Sequence, residues 1–149
     1  MPTIMKSLNA ISRAQSQFRT ECAVSDELAA CHWTFLFTVN RLPGLTQEEL
    51  ARELFLNKST VARTLTTLEE HGFVERKSDS SDKRVLLVYP TGKTKDLIPT
   101  LRAASREWNE LISSGIDEGE MEIFLFVLRK MECNAKAAIG IDGGEACKK

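Results

Sequence analysis

The sequence predicts a mainly α-helical fold that contains one small β-hairpin. Apolar residues recur at helical spacing along most of the 149 residues. Residues 73–89 follow a different pattern, in which two short strand-like runs flank a polar turn. The longest apolar run, Ile123–Leu128, is much shorter than the ~18 residues that a membrane-spanning helix needs. The sequence therefore argues against a membrane protein.

The composition is that of a folded chain of about one domain. Hydrophobic residues make up 42% and charged residues 28%, which excludes a disordered chain. The net charge is only −1, yet residues 58–95 hold eight basic and five acidic groups, and residues 107–149 hold five basic and nine acidic groups. Such a field attracts a polyanion to one region and repels it from another. No signal region opens the chain, so a cytoplasmic protein is expected.

Two helices are expected before residue 45. Residues 4–19 form an amphipathic helix whose apolar side chains recur every 3.5 residues. After a break over residues 20–25, Ser25 suits the N-cap of a second helix from Asp26 to about Asn40. That helix is apolar nearly all round and should be central, and Leu42–Gly44 ends it. The apolar positions of the first helix are Ile4, Leu8, Ile11 and Phe18.

Two shorter helices follow, joined by a tight turn at Phe55 and Leu56. Thr46 and Glu49 form a capping box for a helix over residues 47–54. Asn57 caps the next helix, which runs to about His71 before Gly72 stops it. Its apolar positions fall on one face, so the opposite face is left to solvent. Those apolar positions are Val61, Leu65 and Leu68.

A hairpin and two long helices complete the chain. Strands over residues 73–77 and 85–89 flank a polar turn, and a two-stranded hairpin must pack on the preceding helices. Leu97–Leu111 and Met121–Ala138 then show helical spacing, separated by a break at Ser113–Gly115. The second long helix is apolar on all sides around Ile123–Leu128, so a second subunit is expected to cover it. A frayed tail is expected over residues 140–149.

Two short helices followed by a basic hairpin form a winged helix-turn-helix. Short hydroxyls allow a close approach to DNA phosphates, and an arginine can bond guanine at two points. Lys58 lies in the first turn, where free amides favour a phosphate. The alternative is a plain helical hairpin with a threonine-rich face. The residues expected to face solvent and DNA are Ser59, Thr60, Arg63, Thr64 and Thr67.

The sequence resembles the MarR-type transcriptional regulators over about residues 5–138. The matching motifs are residues 44–54 (GLTQEELAREL), 57–76 (NKSTVARTLTTLEEHGFVER) and 79–85 (DSSDKRV). The resemblance implies a homodimer, built from the N- and C-terminal helices, that binds a pseudo-palindromic operator in double-stranded DNA. Repression of transcription is the expected role. An interaction module that has lost sequence-specific DNA binding is the alternative.

The resemblance also implies roles for the hairpin, or wing. In the family, the arginine of an Asp-x-Arg motif enters the minor groove and its aspartate orients a nearby basic group; here these residues are Asp82 and Arg84. An arginine at a hairpin tip can enter a narrow, negative minor groove that a helix cannot. Two solvated loop charges are the alternative. Lys77 and Lys83 are expected to make generic phosphate contacts.

The predicted organisation has four parts. Residues 1–24 are an N-terminal dimerisation helix, and residues 25–93 are the winged helix-turn-helix DNA-binding lobe. Residues 94–139 are C-terminal dimerisation helices, and residues 140–149 are the tail.

The sequence gives only weak evidence for a site that senses an effector. The resemblance implies either a small aromatic or anionic ligand between the lobe and the dimer helices, or oxidation of a cysteine. Cys22 and Cys31 lie near the predicted helix junctions, together with Trp33 and Phe37. Buried cysteines that act as small hydrophobes are the alternative. All four cysteines are expected to be reduced, because the chain shows neither a secretory signal nor a C-x-x-C pair.

The sequence predicts neither an enzyme nor a metal or cofactor site. It shows no paired carboxylates and no nucleophile–base set. Cys31 and His32 are adjacent and point in different directions on a helix, and no second ligand pair follows at metal-binding spacing.

Overall fold

The computed structural model describes residues 3–22 and 27–140. Within them lie six helices and three short strands, so the predicted mainly helical fold with a small β-wing is confirmed. The elements are α1 (Ile4–Glu21), α2 (His32–Arg41), β1 (Leu45–Thr46), α3 (Gln47–Leu54), α4 (Lys58–Glu70), β2 (Val74–Ser78), β3 (Leu86–Pro90), α5 (Gly92–Ser113) and α6 (Glu118–Ala138).

One hydrophobic core joins α2, α3, α4, the hairpin and α5. The predicted inner face of α4 is wholly buried, and Leu50 and Ala51 of α3 are buried against the same core. The central position predicted for α2 is confirmed, because Trp33 and Leu36 are almost completely inaccessible to solvent. Burying such side chains stabilises the fold by roughly 1.5–3 kcal/mol each. The core therefore fixes which side of α4 remains outside.

The start of α2 differs from the prediction. The helix begins at His32, whereas the sequence predicted a start at Asp26. Residues 27–31 are not helical; Leu28 is buried there as its spacing suggested, but in a turn in which His32 N–H donates to the Ala29 oxygen at 2.9 Å. The predicted cap Ser25 lies outside the described residues, as does Asp26. The break before α2 also starts later than predicted, since α1 continues to Glu21.

The sheet contains a strand that the sequence did not reveal. β3 is the central strand, β2 pairs with it antiparallel as the predicted hairpin, and β1 pairs with its other edge. A two-residue strand is too short to show an alternating pattern. Gly44 leads into β1 with a φ of +87°, and its N–H donates to the Val88 oxygen at 2.8 Å. A glycine accepts this left-handed backbone readily.

The turn between α3 and α4 is unusual in its backbone. Phe55 has a φ of +57°, in the left-handed region that ordinary L-residues rarely adopt. It caps the C-terminus of α3, and the next N–H, of Leu56, donates to the Ala51 oxygen at 3.0 Å. The predicted short turn is confirmed, and its conformation brings Asn57 to the start of α4.

The chain forms two compact units, Met1–Trp108 and Asn109–Lys149, so the division falls inside α5. In the first unit, the Phe18 and Trp108 rings lie 5.4 Å apart. In the second, α6 exposes its apolar run, with exposed fractions from 41% to 67% over Ile123–Val127. The four predicted domain parts stay a prediction, and the tail beyond residue 140 lies outside the described residues. No described helix is both long and apolar enough to cross a bilayer.

The cysteines differ from the prediction at one position. Cys22 and Cys31 are free thiols, as expected. Cys133 is disulfide-bonded, so the prediction of four reduced cysteines is wrong there. Spacing along the sequence does not show which thiols the fold brings together, and tertiary proximity decides the pairing.

Candidate nucleic-acid interface

The start of α4 is fixed by Asn57, as its sequence predicted. The Asn57 Oδ1 atom accepts the Thr60 N–H at 2.7 Å and the Ser59 hydroxyl at 2.8 Å. This cap satisfies one of the free amides of the first turn. The Ser59 side chain remains exposed, and that of Thr60 is half-buried.

The outward side of α4 is polar along its length. Lys58, Ser59 and Arg63 are exposed, while Thr60, Thr64 and Thr67 are half-buried at its borders. Thr67 was expected to face solvent fully; instead its hydroxyl donates to the Arg63 oxygen at 3.3 Å, one turn earlier. The exposed Thr66 was not predicted, and its hydroxyl likewise donates to the Ala62 oxygen at 3.1 Å.

The two cations of this face differ in their surroundings. Lys58 Nζ lies 2.8 Å from Glu48 Oε1 of α3, and its hydrogen bond and charge lower the pKa of that carboxyl. Both side chains are well exposed, so the pair is screened by water. Arg63 makes no ion pair with any residue of the described ranges. It is therefore the cation of this face that has no paired carboxylate among the described residues.

The tip of the wing is closed by two backbone bonds. Asp79 N–H donates to the Val85 oxygen, and Val85 N–H donates to the Asp82 oxygen, each at 2.9 Å. The Asp82 carboxylate accepts the backbone N–H of Arg84 at 3.0 Å. Asp82 thus fixes the main chain from which the Arg84 side chain projects.

Two wing lysines present their charge differently. Lys83 is exposed beside Arg84, and within residues 3–22 and 27–140 neither side chain forms an ion pair. Lys77 lies on β2, where its Nζ is 2.7 Å from Glu75 Oε1 and 5.5 Å from the centre of the Tyr89 ring. The cations of the wing that have no ion-pair partner among the described residues therefore lie at its tip, in the same turn as Asp79 and Asp82.

The structure adds a pair that sequence reasoning missed, Glu69 of α4 and Arg76 of β2. Glu69 Oε2 accepts from Arg76 Nε at 3.0 Å and also from Nη2, and Glu69 Oε1 accepts the Arg76 backbone N–H at 3.1 Å. The hydrogen bonds from Arg76 lower the pKa of the Glu69 carboxyl. The sequence does show an acidic residue shortly before the helix-stopping Gly72 and a basic residue in the following strand. However, neither helical nor strand periodicity links two positions that lie seven residues apart across a loop, so the pairing could not be predicted.

The predicted effector residues fall in two places. Trp33 is buried in the core, and Cys22 and Phe37 pack against that core, whereas Cys31 is exposed at the N-cap of α2. Burial raises the pKa of the Cys22 thiol, with smaller contributions from Glu107 and Glu21. The thiolate that oxidants attack is therefore disfavoured at Cys22.

Arg19 was not predicted and lies beside Trp33. Its guanidinium carbon is 5.3 Å from the Trp33 ring centre, and burial lowers its pKa. No carboxylate of the described chain pairs with it. A half-buried guanidinium without a paired carboxylate is suited to bind an anion. By contrast, no group of three or more possible metal ligands occurs among the described residues.

Comparison with known proteins identifies the lobe. Residues 29–86, from just before α2 to the start of β3, match the family model for the MarR family. Over this region the chain is similar to the MarR family of transcriptional regulators. The matched region contains α4 and the wing tip, so the candidate DNA-contacting residues on these elements lie within the matched stretch.

Relatives of known sequence or structure agree with this similarity to the MarR family. The chain is 27% identical to the HTH-type transcriptional regulator YybA of Bacillus subtilis (strain 168), over 90% of this chain and 89% of that protein. The transcriptional regulator SlyA superposes with a TM-score of 0.85 at 28% identity, over 91% and 95% of the two chains. A MarR-family regulator from Listeria monocytogenes, solved in complex with a 26mer DNA, shares the fold, with a TM-score of 0.82 at 24% identity over 95% and 98%.

Proposed function

We propose that this protein is a MarR-type regulator that represses transcription by binding a pseudo-palindromic operator in double-stranded DNA as a homodimer. Helix α4 of each protomer enters a major groove, and each wing enters the adjacent minor groove. The observation that supports this proposal most directly is the outward side of α4. That side is polar along its length and presents Arg63, which is exposed and has no ion pair among the described residues. A cytoplasmic location suits this role.

Base recognition is assigned to the N-terminal half of α4. Arg63 can donate two hydrogen bonds to one guanine edge, and the hydroxyls of Ser59, Thr60 and Thr64 can contact bases or phosphates. Thr67, whose hydroxyl is engaged by the helix backbone, contributes at most a contact to the DNA backbone.

Phosphate binding is assigned to three lysines with unequal contributions. Lys83 carries an uncompensated charge beside the wing tip, whereas Lys58 and Lys77 are each paired with a glutamate. A phosphate that binds Lys58 or Lys77 must compete with that glutamate, which reduces the net gain. Lys83 is therefore expected to contribute more than the other two.

The minor-groove contact is assigned to Arg84, with Asp82 as the residue that orders its backbone. The hydrogen bond from Arg84 N–H to the Asp82 carboxylate holds the tip in one conformation. An ordered tip loses less conformational entropy when it enters a narrow groove. A relative with this fold was solved on a 26mer DNA, so the fold is compatible with such docking.

Dimerisation is assigned to the exposed apolar surfaces of the terminal helices. Five consecutive large apolar residues of α6 are exposed in the single chain, and α1 exposes Ile4, Met5 and Ile11. Apolar patches of this kind mark protein interfaces. A second copy of the chain supplies a matching surface, because a two-fold interface uses the same patch on both subunits.

Release is assigned to a small aromatic anion, whose charge would bind the half-buried guanidinium of Arg19, itself held over the buried Trp33 ring. Oxidation is less well supported, because the pKa of Cys22 is raised by burial. A thermal-shift series with benzoate, benzyl alcohol and acetate tests this part. Stabilisation by benzoate alone, lost in Arg19→Met and kept in Arg13→Met, is the expected result; equal shifts in both variants would contradict it.

Selection of bound fragments from random DNA, followed by a salt titration on the winning sequence, tests the main proposal. A palindromic site and a linear fall of log K with log salt are expected. Arg84→Ala should weaken binding to operator and random DNA alike and reduce the salt slope by about 1. Weak, salt-insensitive binding without a selected sequence would instead favour a protein-interaction module. The pairing of Lys58 and Lys77 with glutamates is the observation that supports this alternative.

A further inference from the structure

We propose that Glu69 is a positioning residue for DNA recognition, which acts through Arg76 to hold the wing arginine Arg84 in its place relative to α4. The inference rests on the proposed DNA-binding function. Among ion pairs between described residues, Glu69–Arg76 is the one that joins α4 to the hairpin. Nothing in the proposed function itself assigns Glu69 a role.

The bonding pattern of Glu69 is suited to positioning. Its Oε2 atom receives two donors from the Arg76 guanidinium, and its Oε1 atom receives the Arg76 backbone N–H. Because the backbone itself is bound, the carboxylate fixes the main chain of β2 in addition to neutralising a side chain. The two side chains are only 37% and 24% exposed, so water competes less than at the other interface pairs.

The sheet transmits this anchor to the wing tip. Arg76 pairs with Val88 of the central strand, and the ladder continues through Lys77–Leu87 to Ser78–Leu86, where the tip begins. Strands joined by a regular ladder move together, so a shift of β2 at Arg76 is carried to Arg84. Helix α4 carries both Glu69 and Arg63, the residue proposed to read bases. The same helix therefore positions Arg63 and anchors the wing.

The charge of Glu69 gives a second reason for its pairing with Arg76. A free carboxylate on α4 would repel phosphates, but the Arg76 guanidinium neutralises it and lowers its pKa. Arg76 is thereby occupied and is not expected to contact DNA directly. The Glu69–Arg76 pair therefore contributes to recognition by positioning the wing and not by contacting DNA.

A double-mutant cycle on the selected operator tests this inference. Fluorescence anisotropy would measure operator affinity for the wild type, Glu69→Gln, Arg84→Ala and the double variant. Arg84→Ala is expected to weaken wild-type binding by about 5- to 100-fold. In the Glu69→Gln background the same change should cost less than about 3-fold, because Arg84 is no longer held at the groove.

The matched control is Glu70→Gln, which removes the same charge from the exposed neighbouring position. With Glu70→Gln, the full penalty of Arg84→Ala should remain. An unchanged Arg84→Ala penalty with Glu69→Gln would overturn this inference alone, since Glu69 would then affect stability or charge only. If the wild type binds no DNA, the proposed function fails and this inference fails with it.

A second variant covers the case in which Glu69→Gln does not fold. Arg76→Lys keeps the positive charge but loses the two-pronged contact, and the cycle with Arg84→Ala is repeated there. Circular dichroism and thermal melting show which variants are folded. Loss of folding in both would also overturn the inference, because the pair would then be required for the fold and not for placement of the wing.

Discussion

Lys93 Nζ donates to the main-chain oxygen of His71 at 2.9 Å and thereby closes the C-terminal end of α4. The same ammonium forms an ion pair with Glu27 and lies 4.2 Å from the centre of the Phe73 ring. A cation at a helix C-terminus satisfies free carbonyls and opposes the helix dipole. One side chain at the start of α5 therefore fixes the end of the helix that is proposed to read DNA.

Replacing Lys93 by Met should destabilise the lobe. The substitution keeps the apolar stem over Phe73 but removes the hydrogen bond and both charge contacts, so a loss of about 1 kcal/mol is expected. Urea denaturation followed by circular dichroism measures the change. Lys95→Met, an exposed lysine two residues later on the same helix, is the control and should leave the midpoint within about 0.5 kcal/mol. Equal losses in the two variants would contradict the capping role.

Replacing Arg63 by Ala should cost roughly 1–3 kcal/mol of operator binding and relax the base preference at one position in each half-site. The reason is that Arg63 is the exposed guanidinium on the outward side of α4 and has no competing carboxylate in the described structure. Binding to a panel of single-base operator variants measures the change. Arg102→Ala, an exposed arginine on α5, is the control. If Arg63→Ala lowered only non-specific affinity, base reading would lie elsewhere.

Replacing Phe124 by Glu should produce a monomer and weaken operator binding. Phe124 is 49% exposed in the middle of the apolar run of α6, and a charge there would be desolvated at a dimer interface. Sedimentation velocity at micromolar concentration measures the state of association. Asn134→Glu adds the same charge at an exposed polar position of α6 and should leave the dimer intact. A monomeric wild type would contradict the dimer itself.

Acid should destabilise the lobe through His32. Burial, and secondarily the positive charge of His71, holds the pKa of His32 below its ordinary value of 6.5. The Nδ1 atom of His32 is buried and has no hydrogen-bond partner within the described structure. The unfolded chain thus binds a proton more readily than the folded chain, so stability is full above about pH 6.5 and falls as the pH drops through the lower folded pKa.

Thermal melts at pH 7.5 and pH 5.5 measure this dependence. The melting temperature of the wild type should drop more than that of His32→Gln, which cannot take up the proton. Carboxyls with lowered pKa values, such as Glu49 and Glu69, lose their contribution only at lower pH and affect both proteins alike. His71→Gln removes only the smaller of the two causes that lower the pKa of His32, so this control should keep most of the wild-type drop. Equal drops in wild type and His32→Gln would contradict the role of His32.

Features set by local chemistry were predictable from the sequence. The capping box of Thr46 and Glu49 and the Asn57 cap are present because each needs only residues three positions apart. The buried face of α4 followed from its period, and burial of one face left the opposite face to solvent. The candidate residues on α4 were identified on that basis, whereas Asp82 and Arg84 at the wing tip followed from the family resemblance. Each of these residues is exposed or partly buried.

Features set by tertiary contacts were not predictable in the same way. The β1 strand exists because Leu45 meets Val88 of the central strand, and two residues alone carry no periodic signal. The left-handed backbone of Phe55 contradicts the local preference of an aromatic residue; it is the C-cap conformation that ends α3. The pairing of Glu69 with Arg76 likewise depends on how the hairpin folds back on α4.

The glutamates beside Lys58 and Lys77 have a consequence for how tightly the protein holds any polyanion. Each carboxylate acts as a built-in counterion, so a lysine that stays paired neutralises less phosphate charge and releases fewer of the cations condensed on the DNA. If the chain binds DNA as proposed, its affinity for bulk chromosomal DNA should be lower than the number of basic side chains suggests. Its selectivity should then depend more on the few contacts that distinguish its own operator.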